Sequence, residues 1–165
     1  MSAGSGAPPA LDPRSLRYAY SMFPSGVTAV CAIVDGAPVG VAASSFTSVS
    51  LDPPLVSVCM AHTSTTWPTL RSAPRIGVSV LGGHHGGVAR QLAARGTDRF
   101  ADVTYEVIDG AIVLPDAAMS AVCSLEHEFT AGDHVIAVLR VHTVDPHPEV
   151  KPIVFHASEF RELAG

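Results

Sequence analysis

Positive charge is scarce in this chain. Ten of its 165 residues are Lys or Arg, scattered singly, and the excess of Asp and Glu leaves a net charge of −5. With no basic stripe to follow a phosphate backbone, nucleic acid is excluded as a partner. Any phosphate that binds is expected to rely mainly on hydroxyls and backbone N–H groups. Long apolar runs are also missing: none approaches the roughly 20 residues needed to span a bilayer. The opening MSAGSGAPPA has neither the charged start nor the apolar middle of a signal peptide. These absences predict a cytoplasmic protein without membrane contact. Cysteine is limited to Cys31, Cys59 and Cys123, far apart and without Cys-x-x-Cys spacing, so buried reduced thiols are expected rather than a disulfide or zinc site. The Walker pattern and Gly-x-Ser-x-Gly are absent, and the GGHHGG run lacks the spacing and βαβ context of a dinucleotide fingerprint. No pair among the eight histidines has His-Glu-x-x-His spacing; His84 and His85 are neighbours whose side chains diverge on regular structure, so solvated loop histidines and no metal site are predicted.

What remains is apolar and short-stranded. Hydrophobic residues make up 47% and charged residues 15%, a lean surface that predicts burial of part of the excess in a homodimer interface. The length suits one domain with a full core. Residues 1–11, rich in Gly, Pro, Ala and Ser, are expected to be a disordered tail, with the domain covering 12–165. Asp12 and Pro13 can open a helix whose face carries Leu16, Tyr20 and Phe23, and Pro24 stops it. Strands are predicted at Val27 to Val34 and Pro38 to Ser44, joined by a tight Asp35-Gly36 turn, then at Leu55 to Met60 and Ile76 to Leu81. A short helix is expected around Trp67 to Arg71 and another over VARQLAAR. Further strands follow at Ala121 to Glu128, His134 to Val144 and Pro152 to Phe155. Many strands, few helices and no βαβ alternation predict a mainly β fold, an antiparallel β-barrel with a few peripheral helices.

One stretch stands out. ASSFTSVSLDPPLVSVC, Ala43 to Cys59, packs four serines and a threonine into its first eight residues and supplies no strong acid or base except Asp52. A hydroxyl-rich turn there can receive a phosphate ester through Ser and Thr donors and converging backbone N–H groups. By composition alone, the same stretch also reads as a serine-rich β-turn bonding to its own backbone.

Together with FPSGVTAV (Phe23 to Val30), IGVSVL (Ile76 to Leu81), GDHVI (Gly132 to Ile136) and PIVFH (Pro152 to His156), this block resembles the flavin reductase family, over nearly everything after Leu16. These are the small NAD(P)H-dependent reductases of two-component flavin monooxygenases. The resemblance implies an FMN-binding split β-barrel, homodimeric, that transfers a hydride from NADH (or NADPH) to FMN or FAD and supplies a partner monooxygenase. It also implies that Ser25, Gly26, Val27 and Thr28 lie along the flavin, that Ser44, Ser45 and Phe46 meet the ring edge and ribityl chain, that Ser50 and Leu51 close the phosphate end, and that Arg75 and Ile76 finish the pocket. His134, after Gly132 and Asp133, is the implied catalytic residue beside the nicotinamide, with Phe155 and His156 as weaker contacts. A missing base is then expected, because the cofactors carry hydride chemistry themselves and the protein aligns the rings.

Other readings stay open. The same barrel can serve a flavoenzyme that reduces an organic substrate directly, or a non-catalytic flavin-binding or storage protein. Trp67 is read as packing, and the three cysteines as core. Ser79, Leu139 and Arg140 depart from residues frequent in the family, which touches the local flavin and nicotinamide contacts.

Overall fold

The computed structural model describes Gly6 and residues 11–165; apart from Gly6 and Leu11, the tail expected over 1–11 lies outside the described residues. The first helix, α1 (Pro13–Tyr20), starts where its capping chemistry dictates. Asp12 accepts the Ser15 N–H at 2.9 Å and Pro13 occupies the first turn.

After a two-residue strand β1 (Ser25–Gly26), β2 (Thr28–Val34) and β3 (Ala37–Ala43) form the expected hairpin. Asp35 and Gly36 both take positive φ, which matches the twist of a two-residue turn. The hydroxyl-rich segment is a strand rather than a turn: β4 (Thr47–Leu51) pairs with β5 (Pro54–Ala61) across Asp52-Pro53. The short helix α2 (Trp67–Leu70), β6 (Ile76–Val80), a 3₁₀ turn (Gly83–His85) and α3 (Gly86–Ala93) follow. The polar link then holds an unpredicted hairpin, β7 (Glu106–Ile108) and β8 (Ala111–Val113), turning on Asp109-Gly110 with positive φ at both.

Next come β9 (Met119–Ala131) and β10 (His134–Pro146), each 13 residues long and joined by Gly132-Asp133. Finally β11 (Ile153–His156) pairs with both β1 and β12 (Glu159–Glu162) in a separate three-stranded sheet.

The fold is mainly β, with few helices. The larger sheet runs β4-β5-β10-β9-β6-β2-β8-β7, with β3 on the other edge of β2, and the pairings described are antiparallel. β2 explains why the core divides in two. Val30 and Ala32 pack on one face with Val58, Leu70, Ile76 and Leu139, while Ala29 and Cys31 pack on the other with Leu81, Leu92 and Ile112. Successive side chains on a strand point to opposite faces, so a strand buried on both must be apolar at every position. Burial pushes the Cys31 and Cys123 thiols up to about 12, as expected of core cysteines. Trp67 is also core, and its indole N–H donates to Glu128 at 2.8 Å. The Glu128 carboxyl is held below its ordinary range, chiefly by its hydrogen bond from Arg71.

Of the two adjacent histidines expected in solvent, His84 is exposed and His85 is not. His85 is 8% exposed, and its Nδ1 accepts the Gly82 N–H at 3.0 Å. Burial, reinforced by the charge on His84, lowers its pKa below the ordinary 6.5. The unfolded chain therefore binds this proton more readily than the folded one. Stability from this residue is complete above about pH 6.5 and declines as pH falls below that value toward the depressed folded pKa. Urea unfolding of the parent and of His85→Gln at about pH 7.5 and about pH 5.5 checks this: the parent should lose more stability between the two than the variant. Equal losses would show that His85 titrates normally.

Candidate active site

Three strand ends and one loop meet beside the hydroxyl-rich segment. The C-terminal end of β3 runs into Ser44 and Ser45, the end of β5 supplies Cys59 and Ala61, the start of β10 supplies His134, and the loop after α3 supplies Arg95 and Arg99. They enclose a cavity of about 350 Å³, at the small end of the roughly 300–1,000 Å³ common for small-molecule sites. Ala42, Ala43, Ser44 and Ala93 are shared with a second cavity of about 200 Å³ that continues to Val27, Phe155 and Phe160. One end of the combined groove is therefore mostly apolar, with the Arg90 guanidinium laid over the Phe160 ring at 5.2 Å, and the other is framed by hydroxyls and cations.

The hydroxyls divide by role. Ser44 is exposed and borders both cavities. Ser45 Oγ accepts the Cys59 N–H at 2.8 Å and lies 3.4 Å from the Cys59 carbonyl, so this hydroxyl ties the start of the β4 segment to β5. Ser64 and Thr65 add further hydroxyls from the β5–α2 loop. Ser64 Oγ accepts the N–H groups of Thr66 and Trp67, fixing the turn that leads into α2.

The cations are the part of the site that the sequence did not reveal. Arg99 donates to the carbonyls of Ala94 (2.8 Å) and Gly40 (3.0 Å) and to Thr66 Oγ1 (2.7 Å). Three neutral acceptors orient its guanidinium and leave the charge uncancelled. Neither Arg95 nor Arg99 has a carboxylate partner among the described residues. The cavity thus offers two guanidinium groups in addition to the hydroxyls and backbone N–H groups expected to provide most of a phosphate site. The two arginines lie roughly fifty residues after the serine block in sequence, one at the end of the expected VARQLAAR helix and one in the polar link after it.

His134 opens β10 directly after the turn. Its Nδ1 lies 2.8 Å from Asp133 Oδ1. An ionised carboxylate only accepts, so Nδ1 carries the proton and Nε2 is free for a ligand. The Asp133 carboxyl is held below its ordinary value, chiefly by this hydrogen bond. Gly132 takes φ of +61°, and the Asp133 carbonyl accepts the His62 N–H at 2.9 Å, so the turn is pinned to the end of β5.

Among the other sequence-predicted residues, Val27 and Phe155 border the apolar cavity, and Ser25 and Gly26 pair with Phe155 and Val154 beside it. His156 is the next residue on β11 and borders neither cavity. Several residues are placed elsewhere. Thr28 is buried and donates to the Ala43 carbonyl at 3.0 Å. Phe46 packs against the interior. Ser50 and Leu51 sit at the β4–β5 turn, with Leu51 95% exposed. Arg75 bonds its neighbour's carbonyl and lies 3.6 Å from Asp109, while Ile76 is wholly buried. Ser79 accepts the Leu114 N–H at 2.9 Å inside the core, and Arg140 pairs with Glu126, so these departures serve packing and pairing. Cys59, expected in the core, is on the cavity wall instead.

The profile of a family described as "Flavin reductase like domain" matches residues 20–164. The chain is 43% identical over 132 residues to a probable flavin reductase of Rhizobium meliloti, covering 79% of this chain but only 42% of that protein. It is 34% identical over 158 residues to the reductase subunit of a flavin-dependent monooxygenase of Rhodococcus jostii, covering 95% of this chain and 81% of that protein. Among solved structures, it resembles the NADH:FAD oxidoreductase of Streptomyces globisporus in complex with NAD and FAD fragments. That match has a TM-score of 0.87 at 32% identity, covering 95% of this chain and 98% of the other.

Proposed function

Because the chain belongs to the flavin reductase-like domain family, we propose that it is an NAD(P)H-dependent flavin reductase that passes reduced flavin to a partner monooxygenase. The observation that carries this reading is the joined groove, apolar at one end and bounded by hydroxyls and two uncompensated guanidinium groups at the other. That donor set fits a flavin phosphate, and the apolar end fits a ring system. Bound flavin supplies a ring that accepts a hydride from the nicotinamide.

The chain's own residues do the rest. Val27, Ala43 and Phe155 exclude water from one end of the groove. Ser44, Arg95 and Arg99 hold the charged end. His134, its Nδ1–H engaged by Asp133, lies on the wall of the hydroxyl-bordered cavity, and its free Nε2 would meet the carboxamide of a nicotinamide that reaches across the junction of the two cavities, fixing the angle at which donor meets acceptor. The finer architecture we propose is the family's split barrel acting as a homodimer, with residues 12–165 as its single domain. The lean surface and exposed apolar residues such as Val49, Leu51 and Phe129 support the dimer.

Steady-state oxidation of NADH and NADPH with FMN, FAD and riboflavin in turn tests the function. Flavin binding without nicotinamide oxidation would make the protein a flavin-binding or storage module. Oxidation that requires an added organic acceptor, with no diffusible reduced flavin, would make it a direct reductase. For His134, replacement by alanine is expected to slow stopped-flow flavin reduction by on the order of tenfold. Flavin affinity and melting temperature should stay at the parent's values. Lowered stability with an unchanged hydride-transfer rate would instead assign the imidazole to its turn.

A further inference from the structure

The groove does not end at the arginines. Thr65, Arg95 and Arg99 also wall a third cavity of about 510 Å³, whose other side is formed by Pro38, Val39 and Thr97. FMN occupies a ring subsite, a ribityl path and one phosphate subsite, and would leave this third space unused. FAD continues from the phosphate through a second phosphate into adenosine.

We propose that the flavin selected by this site is FAD, with its pyrophosphate at the Arg95–Arg99 boundary and its adenylate in the third cavity. The inference rests on the flavin reductase reading and extends it to the choice of substrate.

The charges match first. A pyrophosphate spreads its negative charge over two phosphate groups, and the boundary presents two cations without carboxylate partners among the described residues. Arg99 is already oriented by the Gly40 and Ala94 carbonyls and Thr66 Oγ1, so little side-chain freedom remains to be lost on binding. The chemistry of the far cavity also suits adenosine. Pro38 and Val39 give an apolar surface for a purine face. Thr66, Thr97 and Asp98 give hydroxyl and carboxylate partners for ribose hydroxyls or the exocyclic amine. Asp98 Oδ1 accepts the Phe100 N–H at 3.0 Å, which fixes the carboxylate and leaves Oδ2 available.

Equilibrium fluorescence titration, with no nicotinamide nucleotide present, is the test. FAD should bind at least about tenfold more tightly than FMN. Equal affinities, or tighter FMN, would overturn the proposal. Thr97 is exposed on the outer wall, and Thr97→Trp fills the third cavity alone. The ratio of FMN to FAD dissociation constants should collapse toward one in the variant while FMN affinity stays at the parent's value. An unchanged ratio, in protein with the parent's melting curve, would remove the adenylate from that cavity. Protein that binds neither flavin would refute the flavin reductase reading itself, a separate outcome from binding both equally.

Discussion

Arg95→Glu is expected to weaken flavin binding by about thirty- to a hundredfold in low salt, with the melting temperature unchanged. Arg95 is exposed at the cavity wall and has no ion pair or hydrogen bond among the described residues, so its replacement disturbs no folded contact. The charge reversal removes an attraction to the flavin phosphate and adds a repulsion. Solvent screens both effects, which limits their size and makes them salt-dependent. Repeating the titration in high salt should narrow the gap between parent and variant. If affinity were unaltered in low salt, the phosphate would have to lie away from the loop after α3, and both the proposed site polarity and the FAD proposal would lose their anchor.

A second large effect is expected far from any ligand. Gly77 lies in β6 where that strand crosses the β7–β8 hairpin, and a Cβ there would run into the backbone carbonyl of Ile112. A backbone atom cannot swing aside as a side-chain end does. Gly77→Ala must therefore part β6 from β8, in a region where Ile76, Val78 and Ile112 are all essentially buried. Overpacking of a close-packed interior costs about 1–3 kcal/mol, and a rigid neighbour puts this case at or above the upper end. Denaturant unfolding measures it, and a loss below about 1 kcal/mol would mean that the hairpin gives way freely.

The fold was legible wherever a local rule acted alone. Asp35-Gly36 announced its hairpin because a two-residue turn with positive φ needs such residues. Asp109-Gly110 carries the same signal, but its flanking strands are only three residues each, too short to show an alternating pattern. The block Thr47 to Leu51 read as a turn because hydroxyls are common in turns. It is an edge strand instead, held by pairing with β5 that no pattern within the segment reveals.

The site was legible to the same degree. Ser44, His134, Val27 and Phe155 stand where strands of the family's motifs end, and the structure brings them to the joined groove. Ile76 and Thr28 belong to the same motifs, but alternation along a strand turns them inward. Arg95 and Arg99 join the site only because α3 packs beside β3 and carries the following loop to the groove, a tertiary fact with no local signature.

The burial of β2 on both faces, with neighbours along both edges, also sets a hierarchy of motion. Its amides can exchange with solvent only through global opening, whereas the edge strand β4 and the small β1-β11-β12 sheet can loosen at far lower free energy. The groove spans these regimes: Ala42 and Ala43 pair with the immobile β2, while Phe155 and Phe160 belong to the small sheet. A ligand in the groove would meet the buried central hairpin on one side and the small sheet on the other. For the proposed flavin, entry and exit would then require only local opening of the small sheet, without spending the stability of the whole domain.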